Sequence, residues 1–151
     1  MYLISACLCG CRCTYRGTDN LRVPLLEVYR KGEAVLVCPE KLGGLPVPRL
    51  PSEIVGGDGA AVLEGRAKVL NERGQDVTLC FLKGAEEALA IAKKSGVKLA
   101  ILKSRSPSCG VGSVYDGTFS GRLRAGDGVA AALLKRAGIP VISDEEFLAR
   151  Y

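Results

Sequence analysis

Seven cysteines and no histidine define the chemistry open to this 151-residue chain. Without histidine there is no Ser–His–Asp or Cys–His catalysis and no His-containing zinc site. Three of the thiols share one context. Cys7 follows the apolar run Leu3–Ala6, and Cys38 follows Val35–Val37. Cys109 lies a few residues past Leu99–Leu102, in the loop Ser106-Pro107-Ser108-Cys109-Gly110. None of the seven forms the Cys-x-x-Cys knuckle typical of structural zinc. Three converging thiolates suit an iron–sulfur cluster better, and three rather than four would leave one iron without a protein ligand. That iron is a Lewis acid able to hold a substrate atom. Unrelated buried or surface thiols would meet the same spacing.

The neighbours extend the set. Glu40, two residues after Cys38, is placed to act as a general base on water; a surface acid is its plainer reading. Ser106 and Ser108 can close turns through their hydroxyls. Gly110 and Gly112 allow an anion-binding nest, and so a rival phosphate or nucleotide site, though no Walker A or G-x-G-x-x-G pattern accompanies them. If the stretch from Cys7 to Cys13 is extended, Cys7, Cys9, Cys11 and Cys13 share one side. One of them is then a candidate fourth ligand or resolving thiol; incidental thiols are the expected reading of Cys9, Cys11 and Cys13.

The elements that must position these groups alternate. Short apolar strands are expected at Tyr2–Ala6, Ala34–Val37, Leu99–Leu102 and Pro140–Ser143, with helices at 21–30, 77–94 and 128–137 and a closing helical turn at 144–150. Pro24 fits the first turn of the first helix. Asp76 is the expected N-cap of the long helix, whose apolar stripe carries Cys80 as a core residue. Lys41 to Pro51, with three prolines and two glycines, predicts an extended, rigid, functional loop rather than a helix. Ala61 to Leu70 is read as irregular or as a strand pair, and Val114 to Leu123 as a hairpin around Asp116-Gly117. Strand–helix alternation implies βαβ units and a mainly parallel sheet. The expected fold is a Rossmann-like three-layer α/β sandwich, a single domain over residues 1–151. Cys7, Cys38 and Cys109 then meet at one edge, the carboxyl ends of the strands, where open α/β sheets bind ligands.

Composition narrows the class further. An apolar content of 48% and a charged content of 25% are those of a globular protein. The net charge of +5 is spread without a basic block, which argues against nucleic acid as the partner and leaves room for an anionic small molecule. No apolar run reaches the ~18–20 residues of a membrane helix, and Met1–Ala6 is too short for a signal-peptide core. A cytoplasmic protein is expected.

Taken jointly, the motifs resemble the thiouracil desulfurase family. The resemblance rests on Ser5-Ala6-Cys7-Leu8, Cys38-Pro39-Glu40 with Gly43 to Arg49, Ser106-Pro107-Ser108-Cys109-Gly110 and Tyr115-Asp116-Gly117-Thr118-Phe119. It runs nearly end to end. It implies an oxygen-sensitive 4Fe–4S cluster held by Cys7, Cys38 and Cys109, with the fourth iron open to sulfur. It also implies removal of sulfur from a small thiolated pyrimidine such as 2-thiouracil, without net redox change. In that scheme Glu40 activates the water that attacks the ring carbon, Ser106 positions the base or the water, and sulfur leaves as hydrogensulfide. The chain departs from the family pattern where Arg-Tyr-Asp-Gly is usual, reading Thr14-Tyr15-Arg16-Gly17. A non-enzymatic metal- or sulfur-binding protein is the alternative reading, and a nucleotide-binding regulatory domain a third.

Overall fold

The computed structural model describes residues 1–150. Four short strands, β1 (Tyr2–Ser5), β2 (Ala34–Val37), β5 (Leu99–Leu102) and β8 (Val141–Ser143), form a parallel sheet in the order β2-β1-β5-β8. Ile4 pairs with Leu36 on one side and with Ile101 on the other, so β1 and β5 are the inner strands. Their side chains alternate between two buried layers, which is why these strands are apolar throughout. Leu3, Ala100 and Leu102 face α4 (Thr78–Lys94) and α5 (Val129–Arg136). Ile4 and Ile101 face α1 (Val23–Arg30) and α6 (Asp144–Arg150). This is the expected three-layer sandwich.

Two antiparallel hairpins stand beside the sheet. One joins β3 (Ser52–Val55) to β4 (Lys68–Asn71) through the short helix α3 (Gly59–Leu63). The other joins β6 (Ser113–Tyr115) to β7 (Leu123–Ala125). Ile54, Val62 and Val69 form a third apolar cluster with Phe81, Ala85 and Val129, which fastens the first hairpin to α4 and α5.

Several sequence expectations are corrected. The 61–70 stretch is the end of a helix and a strand paired with β3. The loop after Cys38 opens with a helical turn, α2 (Pro39–Leu42), because Pro39 preorganises its first position. Lys41 and Leu42 therefore belong to a helix, and the chain becomes irregular only from Gly43. The Cys7–Cys13 stretch is not extended. Ala6–Cys9 is a 3₁₀ turn closed by Gly10 at φ 94°, so the four cysteines do not share a side. The long helix starts at Thr78, and Asp76 Oδ1 accepts the Thr78 N–H at 2.9 Å. Cys80 is half-buried and outside all three apolar clusters.

One contact positions the site from a distance. α2 crosses α4 at backbone contact. A Cβ on Gly84 would lie 1.9 Å from the carbonyl oxygen of Pro39, and one on Gly43 would lie 1.9 Å from that of Cys80. Two glycines at the crossing let α2 sit against α4, and the turn that carries Glu40 is seated there.

Candidate functional site

The carboxyl ends of β1, β2 and β5 open into a cavity of about 510 Å³ lined by Cys7, Cys38, Cys109, Glu40, Ser106 and Ser108. The chain leaves β1 toward β2 on one side and reaches β5 on the other, so the cavity lies at the point where the strand order reverses. All the residues singled out in sequence as Cys7, Cys38, Cys109, Glu40 and Ser106 meet here.

Each of the three sulfurs is met by donors. Asn20 Nδ2 lies 3.5 Å from Cys7 Sγ. Ser5 Oγ accepts the Lys103 N–H at 2.9 Å, which leaves the Ser5 hydroxyl to donate to Cys109; Ser108 Oγ lies 3.7 Å from the same sulfur. Cys38 stands before α2, where the Lys41 N–H and the Cys13 thiol reach it. As a thiol, Cys38 donates to the Cys13 carbonyl at 3.7 Å; as a thiolate, it accepts the Cys13 S–H. That bond holds Cys38 below the ordinary thiol range and Cys13 above it. Burial pushes Cys7 up to about 11 and Cys109 up to about 12, since a low-dielectric surrounding disfavours the thiolate.

Buried thiols with hydrogen-bond donors aimed at sulfur are the surroundings that tune iron–sulfur ligands. Among the described residues no three His, Cys, Asp or Glu side chains are close enough to share one metal ion. As a donor set, three thiols from separate loops of one cavity wall are the soft ligands an iron–sulfur cluster takes.

Glu40 is clamped. Arg49 Nε donates to its Oε1 at 3.0 Å, and Ser108 Oγ donates to its Oε2 at 2.9 Å. The Arg49 side chain is only 6% exposed and also donates to the carbonyls of Pro46 and Cys13. Ser106 does not touch Glu40. Its Oγ accepts the N–H groups of Cys109 and Ser108 at 2.7 and 3.2 Å and lies 3.1 Å from Ser108 Oγ. With its acceptor sites taken by those N–H groups, Ser106 donates its proton to Ser108, whose proton goes to Glu40. Ser106 thus reaches the carboxylate through Ser108.

Sequence reasoning missed this relay, as it missed Arg49, Asn20 and Ser5. Arg49 had a signal, a lone cation closing a proline-rich loop two residues past Pro46-Val47. For Ser108 over Ser106 there was none, because both lie in the same short loop. The rival nest is absent in fact: the Gly110 N–H is spent on the Ser106 carbonyl and the Gly112 N–H on Asp127. Of the remaining thiols Cys13 lines the cavity, while Cys9 and Cys11 do not.

The loop that carries Cys109 is anchored below. Asp144, wholly buried, accepts the Ser104 N–H at 2.8 Å through Oδ1, and Arg22 Nε lies 3.6 Å from its Oδ2. The far wall of the cavity belongs to the hairpins, through Glu53, Tyr115 and Phe119.

Comparison with known proteins gives the same frame. A family model for 2-thiouracil desulfurase matches residues 2–146. The chain is 47% identical over 146 residues to the protein YbbK of Bacillus subtilis (strain 168), covering 97% of each. Among solved structures it matches the [4Fe-4S]-dependent thiouracil desulfidase TudS with a TM-score of 0.85 and 39% identity, over 98% of this chain and 93% of that one.

Proposed function

We propose, for a chain that belongs to the 2-thiouracil desulfurase family, a hydrolytic desulfurase. In this reading Cys7, Cys38 and Cys109 hold a 4Fe–4S cluster, and a small thiolated pyrimidine loses its sulfur as sulfide. The observation that carries it is the clamped Glu40 carboxylate on the same cavity wall as the three thiols.

When bound, the cluster supplies Lewis acidity toward a thiocarbonyl sulfur at its iron without a protein ligand. The rest falls to the chain. Glu40 takes the proton of the attacking water. Arg49 and Ser108 fix both carboxylate oxygens, so the base meets the water in one orientation. Ser106 orients Ser108. Lys103 also lines the cavity, its Nζ held by the carbonyl and hydroxyl of Ser104 at 3.2 and 3.1 Å; it keeps a cation beside an anionic product. Water supplies the oxygen that replaces sulfur; one of its protons leaves with sulfur as hydrogensulfide and the other passes through Glu40 to solvent. No electron is gained or lost. Such thiols are kept in a reducing compartment, and no helix among the described residues is long and apolar enough to cross a membrane. The reading takes the cytoplasm, a reducing compartment, as the site of action.

The test is turnover. Protein purified and loaded with iron and sulfide without oxygen converts 2-thiouracil to uracil with one sulfide released per ring. Cluster formation without sulfide release would support the non-enzymatic metal- or sulfur-binding reading instead.

A further inference from the structure

Phe119 sits in a backbone conformation that a bulky residue avoids. Its φ is +55°, and only Arg105 shares a positive φ among the described non-glycine residues. For a side chain of this size that is an outlier. Such strain persists where the surroundings enforce it.

The enforcement is visible. Glu53 Oε1, from β3, accepts the N–H groups of Gly117 and Phe119 at 2.9 and 3.1 Å. Asp116 Oδ1 accepts the Thr118 N–H at 3.0 Å. Two carboxylates thus fold the tip of the β6–β7 hairpin and fasten it to the first hairpin. Packing is not the reason for the ring: Phe119 is 38% exposed and belongs to none of the apolar clusters. A glycine or asparagine would take the same φ with less strain. The strained residue lines the cavity that also holds Cys7, Cys38, Cys109 and Glu40.

We infer that Phe119 is the stacking wall of the substrate subsite, selecting flat heteroaromatic rings over puckered ones, with Glu53 as its positioning residue. This rests on the proposed desulfurase reading and deepens it. A face-on aromatic contact rewards a planar π-system at any polar edge pattern. It leaves the thiocarbonyl edge to the cluster side of the cavity.

The experiment uses the anaerobically loaded enzyme with 2-thiouracil and its non-planar 5,6-dihydro analogue. In Phe119→Leu the KM for 2-thiouracil rises ~10-fold, in line with the loss of one base–aromatic stack. Its kcat holds, and the preference for the planar substrate falls toward that of the analogue. Phe119→Tyr keeps the preference. Phe119→Gly raises KM like Phe119→Leu while its melting temperature does not fall, which separates ring loss from unfolding. An unchanged KM, or an equal loss for both substrates, overturns the inference. Calorimetric titration with uracil reads the subsite without turnover. Weaker binding in Phe119→Leu supports the stacking wall even if the wild type releases no sulfide, a result that would sink the desulfurase reading alone; equal binding in both overturns the stacking wall.

Discussion

The two walls of the cavity are built in opposite ways. The sheet-side wall hangs from the core: Cys7 and Cys109 are buried, and each sits within a few residues of strands closed on both faces. The hairpin-side wall has only a small cluster of its own, around Ile54 and Val69, and an open rim. All three residues of β7 are exposed, and the loop that carries Phe119 is tied to β3 through Glu53. If the three thiols hold the proposed cluster, the first wall needs fixed positions, because ligands from separate loops must match one rigid object. The second can vary, because a flat ring asks for a surface and an edge rather than for coordination. On the proposed reading metal retention and substrate choice reside on structurally separate parts, and substitutions should separate them.

The largest expected effect breaks the first wall. Cys109→Ala, and likewise Cys7→Ala or Cys38→Ala, should abolish the iron–sulfur absorption of anaerobically loaded protein, whereas Cys80→Ala keeps it. Full iron and sulfide content in Cys109→Ala would dissolve the comparison. Next is Glu40→Gln, expected to load a full cluster while kcat drops ~10²–10⁴-fold, the usual contribution of a general base. Loss of the cluster there would make Glu40 a structural group. Gly84→Ala tests the seat of α2. Its Cβ would meet the Pro39 carbonyl, and the overpacking should lower stability by ~1–3 kcal/mol, read by urea unfolding of the metal-free protein. The smallest effect sharpens the second wall. Glu53→Gln should speed amide hydrogen exchange at Gly117 and Phe119 severalfold and leave exchange in β1 and β5 unchanged. Faster exchange across the sheet would mean that the two walls are one unit.

The sheet-side wall was legible in the sequence and the other largely was not. The strand at Leu3–Ile4 and that at Ala100–Leu102 are short apolar runs closed by polar loops, and a parallel sheet brings such ends together. That put Cys7, Cys38 and Cys109 on one edge, while their reading as cluster ligands came from the family resemblance. The clamp on Glu40 was hidden because Arg49 and Ser108 reach it from far along the chain, and no period marks such a contact. Strand β3 was hidden for another reason. Ser52-Glu53-Ile54-Val55 has a single fully buried side chain, Ile54, and gains its partner only when β4 folds back. The cysteine-rich turn misled by its alternation, which a glycine at φ 94° undoes.

The three thiols lie far apart along the chain, at positions 7, 38 and 109. An unfolded chain offers iron a different chelate, the crowded tract from Cys7 to Cys13, which is local and closes small rings. Folding dismantles that competitor. It buries Cys7 and Cys13 and turns Cys11 out to solvent. It also carries Cys38 and Cys109 to Cys7 from loops that are strangers in sequence. On the proposed reading the native sheet is the template for the cluster, and loading is expected of the folded protein rather than of the nascent one.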